Sequence, residues 1–234
     1  MKQCNLVGIL ITAIISLADV VNAQENPYEA IPVKDTDGNV YKTIMLKDGV
    51  WMAENLRTTK FNDGTPISLI KERGAWKGTK SPGYGWYKDD ADYKKSVGAI
   101  YNWYAVGTKK LCPNGWHIPT NQEWIDMMDY AGTEERSGDH PARLKEAGFA
   151  HWKSPNEGAT NSIFFNALPA GEISYFYTDA DMGTRATWWT SSEDMSDKPP
   201  MNALTTGLSY DFHSGTGGTN PKEDACSVRC KKDK

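Results

Sequence analysis

The pattern of polar and apolar positions changes period along this chain, and the changes mark its elements. Asp35-Thr36-Asp37-Gly38-Asn39 is a turn signal, after which Val40, Lys42 and Ile44 lead into a strand. Lys47-Asp48-Gly49 is the next turn, and Val50-Trp51-Met52-Ala53 is the expected hairpin partner. Residues 62–98 are broken by Asn62-Asp63-Gly64, Gly74, Gly78, Pro82-Gly83, Gly85 and Gly98 and read as a long loop-rich stretch. Residues 101–106 are apolar enough for a buried strand or a short helix. The period then becomes helical. Thr120 followed by Glu123 is a capping box, Trp124, Met127, Met128 and Ala131 recur on one face, and Gly132 closes the helix. A second helix is expected over residues 141–147, with Pro141 in its first turn and Gly148 at its end. Short strands are expected afterwards at 164–168, 173–177, 186–190, 202–205 and 227–230. Strands, then two helices, then several short strands joined by long loops predict an α+β fold with mostly antiparallel pairing.

The N-terminus carries a different pattern. Lys2 precedes an apolar run over residues 6–17, and Val21-Asn22-Ala23 supplies small residues ahead of Gln24. The run is about 12 residues long, short of the roughly 20 that span a bilayer. This is the layout of a cleavable signal peptide. Cys4 lies before the run, not after it, so no lipid anchor is expected. Residues 1–23 are therefore read as a signal peptide, 24–32 as a short polar tether and 33–232 as a single domain. The mature protein is expected to be exported, whether periplasmic, at the cell surface or secreted. No transmembrane segment is expected.

Composition narrows the partners. The formal net charge is −4 and no basic cluster is present, which argues against nucleic acid. Nine Trp and eleven Tyr offer aromatic surface for sugars, although most Trp fills core. Asp37-x-Asn39 begins like a calcium loop, but Gly38 comes too early and no Glu follows at the twelfth position, so it is read as a hairpin turn. His117, His140, His151 and His213 are scattered, and no Gly-x-Ser-x-Gly elbow occurs. No catalytic constellation emerges.

Removing the signal peptide leaves Cys112, Cys226 and Cys230, which implies one bridge and one odd thiol. If 226–230 is a strand, its two cysteines stand about 13 Å apart. That exceeds the roughly 7 Å a disulfide spans, so Cys112 pairs with one of them. The same alternation places Cys226, Val228 and Cys230 on one face and Ser227, Arg229 and Lys231 on the other. A zinc set of cysteines with His117 and His213 can be written down, but no close ligand spacing supports it.

Seven segments stand in an order that carries a resemblance. They are Asp37-Gly38-Asn39-Val40-Tyr41-Lys42-Thr43-Ile44, Trp51-Met52-Ala53-Glu54-Asn55-Leu56-Arg57, Tyr101-Asn102-Trp103-Tyr104, Cys112-Pro113-Asn114-Gly115-Trp116-His117-Ile118-Pro119-Thr120, Ala167-Leu168-Pro169-Ala170-Gly171, Trp188-Trp189-Thr190-Ser191-Ser192 and Ser227-Val228-Arg229-Cys230. Across residues 33–232 the chain resembles the Fibrobacter succinogenes major paralogous domain, found in exported proteins of Fibrobacter and Bacteroidetes. The resemblance implies a C-type lectin-like fold: two helices, a long-loop region and chain ends brought together. It further implies a bridge between Cys112 and Cys230. Cys226 departs from the family's pattern and is the expected free thiol. The Glu-Pro-Asn, Gln-Pro-Asp and Trp-Asn-Asp triplets of calcium-dependent lectins are missing.

The family has no general activity, so function is argued from residue types. The leading expectation is an exported, non-catalytic binding or adhesion module whose ligand is a glycan or a cell-surface protein. Trp51, Trp103, Trp116, Trp124, Trp188 and Trp189 lie within the shared segments and are assigned to core. Trp76, Trp86 and Trp152 lie in loops and are the candidate aromatic contacts, with Asp179, Asp181, Glu193 and Asp194 as candidate polar contacts. No cofactor is expected; calcium is the one ion these acids would suit. A structural subunit of a surface assembly is the alternative, and the sequence sets no oligomeric state. A third reading is an oxidase. The Pro119 to Trp124 helix start resembles that of formylglycine-generating enzymes, and Cys226 with Cys230 is similar to their late cysteine pair.

Overall fold

The computed structural model describes residues 26–46, 49–88, 90–133, 141–174 and 181–234. The signal peptide with Cys4, the Lys47-Asp48 turn, most of the strand expected at 173–177, His140 and the candidate Asp179 lie outside the described residues.

The chain folds as a mixed α+β domain, with three small sheets among the described residues. In chain order its elements are β1 (Glu29–Lys34), β2 (Val40–Leu46), β3 (Gly49–Met52), β4 (Ser68–Leu69), β5 (Gly83–Gly85), α1 (Ala91–Val97), β6 (Ile100–Asn102), α2 (Trp103–Val106), β7 (Trp116–His117), α3 (Asn121–Thr133), β8 (Arg185–Glu193), β9 (Asn202–Ser209), β10 (Thr216–Pro221), β11 (Ala225–Cys226) and β12 (Lys231–Lys232). The sheets run β1-β2-β3-β12-β7, β10-β9-β8 and β11-β6-β5-β4. Every strand pair is antiparallel except β4 with β5. The first sheet joins both ends of the described chain, because β12 inserts between β3 and β7. No helix among the described residues is long and apolar enough to cross a membrane.

Local chemistry explains the elements that the pattern anticipated. The β1–β2 turn closes on Asp35, whose carboxylate accepts from the Asn39 backbone N–H at 2.9 Å and its side-chain amide at 2.8 Å. The capping box forms as expected. Thr120 donates its N–H to Glu123 at 2.9 Å, and the Glu123 N–H donates to the Thr120 hydroxyl at 3.2 Å. Trp124, Met127, Met128 and Ala131 of α3 are buried against Trp51, Phe165 and Trp188. Within that cluster the Trp124 and Trp188 rings stack at 5.4 Å.

Several expectations need correction. Glu29 to Pro32, placed in the tether, belong to β1 and pair with β2. The helix expected at 141–147 is a 3₁₀ turn, Pro141–Leu144. It ends where Lys145 bridges to Ala167. Residues 164–168 do not form a strand, because Phe164 (φ 58°) and Asn166 (φ 54°) hold left-handed conformations that break any extended run. Helix α1 was not foreseen, and residues 101–106, expected as a buried strand or a short helix, are divided between the two as the end of β6 and α2.

The segment 227–230 is not a strand with one inward face. Ser227, Val228, Arg229, Cys230 and Lys231 are all buried. The chain here threads between sheets. The Ser227 carbonyl accepts from Trp189 of β8 at 3.1 Å, the Val228 carbonyl from Leu56 at 2.8 Å, and the Cys230 carbonyl from Met52 of β3 at 3.0 Å. Backbone bonds to both sides leave no solvent face, so alternation carries no meaning here.

Candidate functional site

The three loop tryptophans have different fates. Trp76 is buried against Ile100, Ile173 and Ala225. Gly85 makes room for it: a Cβ there would stand 2.8 Å from the indole. Trp152 is also buried, and its ring N–H donates to the Ala167 carbonyl at 2.9 Å. Neither presents a face to a ligand, which corrects both assignments. Trp86 alone of the three is half-buried. Of the six assigned to core, Trp51, Trp124, Trp188 and Trp189 are fully buried, while Trp103 and Trp116 pack partly exposed against it.

Trp86 follows β5 and lines a groove of about 320 Å³. Its indole meets Tyr84 edge to face at 5.8 Å. One wall is the β1–β2 turn with Asp37 and Asn39, together with Arg57 and Thr59 beyond β3; the other is α1, with Ala91, Lys94 and Lys95. Helix α1 starts at Asp90, whose carboxylate accepts the Tyr93 N–H at 2.8 Å, and stops at Gly98, whose φ of 91° places it in the left-handed region. Its two lysines fall in the last turn, where the helix dipole favours cations. Lys94 reaches back over Trp86, 5.4 Å from the ring.

The opposite wall is held rigidly. Asp37 accepts from the Thr59 backbone N–H and from the Thr59 hydroxyl at 2.9 Å, lies 3.2 Å from the Thr58 hydroxyl and pairs with Lys60 at 3.2 Å. Burial pushes its carboxyl up, but these bonds outweigh burial and hold it below the usual range. Arg57 lies 4.4 Å over the Tyr41 ring and donates to the Val40 carbonyl at 2.7 Å. An aromatic side chain beside fixed polar groups can take the apolar face of a ring while hydrogen-bonding its hydroxyls.

The described candidate acids do not converge. Asp181 is half-buried and its backbone carbonyl accepts from Thr184. Glu193 pairs with Lys222 at 2.9 Å, and the Asp194 carboxylate closes a turn onto the Ser196 N–H at 3.0 Å. Among the described residues no three His, Cys, Asp or Glu side chains form a group that could hold a metal ion. The zinc set is dispersed. Cys112 and Cys230 are bonded to each other, His117 lies between Asp233 and Glu123, and His213 pairs with Glu157.

Cys112 and Cys230 form the disulfide, with Cα atoms 5.9 Å apart. Cys226 is free and buried, and burial pushes its thiol well above the ordinary value. The oxidase reading thus loses its cysteine pair, since one member is bonded elsewhere and the other is a protonated core thiol.

Two further concavities escaped the sequence reading. A groove of about 730 Å³ runs between α3 and the β9–β10 edge, and among the described residues Asp129 is its one titratable lining side chain. A polar pocket of about 160 Å³ lies on the β8–β9–β10 sheet and contains Glu172, Arg185, Thr187, Thr205 and Asn220. The runs Thr205-Thr206 and Gly217-Gly218-Thr219 were the signal: small and hydroxyl side chains where a covered sheet face would carry aliphatic ones.

No curated protein and no solved structure matches the chain. The Fibrobacter succinogenes major domain matches residues 46–232, a span running from the end of β2 to β12, and the chain belongs to that family.

Proposed function

We propose that this protein is an exported, non-catalytic binding module that takes a glycan across the Trp86 groove. The observation that carries the reading is Trp86 itself. It is the loop tryptophan left partly exposed, and it stands in a groove whose polar wall is already ordered by Asp37 and Arg57. Pre-ordered groups lose little entropy when a ligand arrives. The disulfide supports export, because such bonds persist in oxidising compartments. A C-type lectin-like fold is supported by the same bond, which ties a residue ahead of α3 to the final strand, and by β12 lying beside β3.

The test is a glycan array on the mature chain, with and without calcium, followed by titration of any hit. Trp86→Ala should weaken binding about 2- to 10-fold, the scale of one lost aromatic stack of about 0.5–1.5 kcal/mol. Its melting temperature should barely move. Equal affinity in the variant, or no glycan bound at all, would sink the reading.

A further inference from the structure

The β8–β9–β10 sheet has two unlike faces. Its register pairs Ala186 with Leu208 and Trp188 with Thr206, and the Trp188 face packs on α3. The other face carries Arg185 opposite Ser209, Thr187 opposite Gly207, and Thr205 opposite Gly218, with Thr216 and Asn220 alongside on β10. Trp189 stands on this face opposite Thr205 and is buried in the neighbouring core, but between it and Arg185 the side chains are small. Gly207 admits no side chain, since a Cβ would meet the Ala186 carbonyl at 2.7 Å. The result is a shallow trough with a glycine floor and hydroxyl walls.

Its base is buried and incompletely satisfied. Thr187 is 5% exposed, and its hydroxyl sits beside the Glu172 carboxyl without forming a well-made hydrogen bond. Glu172 is 8% exposed, and one of its oxygens takes a contact of 3.2 Å from the Asn220 amide and one of 3.9 Å from the Cys226 thiol. Burial raises the Glu172 carboxyl above its ordinary range. Buried polar atoms left short of partners in native proteins are few and call for a specific explanation.

We propose that this pocket binds one small, uncharged polyhydroxyl unit such as a single sugar residue, with Glu172 and Thr187 as contacts at its base and Arg185 at its rim. Charge excludes the alternatives. A ligand carboxylate would face Glu172 with Asp181 close by, and a ligand ammonium would have to pass the Arg185 guanidinium. Hydroxyls both give and accept hydrogen bonds, as the threonine walls do. The volume of about 160 Å³ holds one small ring and no oligomer. This inference stands apart from the Trp86 groove and does not depend on it.

The experiment is ¹⁵N–¹H NMR on the mature chain titrated with glucose, galactose, mannose, N-acetylglucosamine and myo-inositol, with acetate and ethanolamine as charged controls. At least one uncharged probe should give saturable shifts at residues 185–187, 205–207 and 216–220. Thr187→Val should weaken that binding about tenfold with no loss of fold, because it deletes a hydroxyl that makes no well-formed bond in the free protein. No saturable shift at these residues, equal affinity in Thr187→Val, or tighter binding of either charged control would overturn the proposal. Shifts confined to Trp86 and its neighbours would overturn it while supporting the groove; shifts at neither place would remove both readings.

Discussion

Arg229 and Glu172 are both charged residue types buried without a counter-ion in contact among the described residues, and their surroundings differ in one respect. Every arm of the Arg229 guanidinium has a partner. Nε donates to the Asn55 side-chain oxygen at 2.8 Å, one terminal nitrogen to the Phe165 carbonyl and the other to the Asn166 carbonyl at 2.8 Å. Phe165 and Trp188 cover its faces at 4.1 and 5.5 Å. Asn55 is equally committed, since its oxygen also accepts the Trp188 ring N–H at 2.9 Å and its amide donates to the Val97 carbonyl at 2.8 Å. Burial lowers Arg229 to about 9, which still leaves it charged at neutral pH. Around Glu172 the account stays open, with the Thr187 hydroxyl beside it and no well-formed bond between them. A saturated buried network is architecture, whereas an unsaturated one beside a cavity is where a ligand's polar groups would be repaid.

The contrast breaks most severely at the saturated end. Replacing Cys112 and Cys230 by Ser releases a loop spanning 118 residues of sequence separation. The chain-entropy model puts the loss at about 4–5 kcal/mol, or about 10–20 °C in Tm for a domain of this size. Calorimetry measures it, and a thiol titration of the denatured, unreduced chain without residues 1–23 should find Cys226 alone. Arg229→Met comes next. It fills the volume but takes one of two donors from the Asn55 oxygen and the guanidinium donors from the buried Phe165 and part-buried Asn166 carbonyls, at a cost of about 3–4 kcal/mol by urea denaturation. In the Asn55→Leu background the same change should cost much less, because the two residues share one network.

Two glutamates sharpen the comparison through pH. Burial raises the Glu123 carboxyl, but bonds from the Thr120 N–H and Lys231 and the proximity of His117 outweigh it and bring it to about 2, from an ordinary 4.5. Its stabilisation is therefore complete above pH 4.5 and lost as pH falls towards 2. Partial exposure screens the effect, so Glu123→Gln should cost about 1–2 kcal/mol at pH 7 and nothing near the acid limit. Glu172 has the opposite sign. Its folded-state value lies above 4.5, so the stability it contributes is present at low pH and is lost as pH rises through that value. Glu172→Gln should therefore gain stability at pH 7, with the gap closing below pH 4.5. Urea midpoints of both variants between pH 3 and 8 check the two slopes.

The saturated region was the legible one. The Thr120 and Glu123 capping box, the α3 stripe and the Trp51-Met52 hairpin follow from spacing alone, because local hydrogen bonds and helical period act over a few residues. The Cys112–Cys230 pairing was implied only by resemblance, since spacing left Cys226 equally eligible. Residues 227–230 were misread because their partners are Met52, Leu56 and Trp189, far away in sequence. The same distance hid the polar pocket, which gathers Glu172, Thr187, Thr205 and Asn220 from separate elements. Trp152 and Trp76 were misassigned for a related reason. A tryptophan in a Gly-rich loop looks exposed until the sheet that buries it is known, and only a tertiary contact such as the Trp152 bond to Ala167 reveals it.

The smallest expected effect tests the contrast most directly. Thr58 and Thr187 are both buried threonines, at 1% and 5% exposure. The Thr58 hydroxyl donates to the Lys60 carbonyl at 2.8 Å and lies 3.2 Å from the Asp37 carboxylate. Thr187 has no bond of that quality. Replacing either by Val keeps the β-branched shape and removes one hydroxyl. At Thr58 the change strips satisfied bonds and leaves partners behind, so it should cost about 1–2 kcal/mol. At Thr187 it removes a group that lost water on folding and regained little, so stability should hold within about 0.5 kcal/mol or rise. Parallel urea titrations of the two variants measure the difference. If Thr187→Val costs as much as Thr58→Val, the Thr187 hydroxyl belongs to the architecture after all, and the pocket loses the vacancy on which its ligand depends.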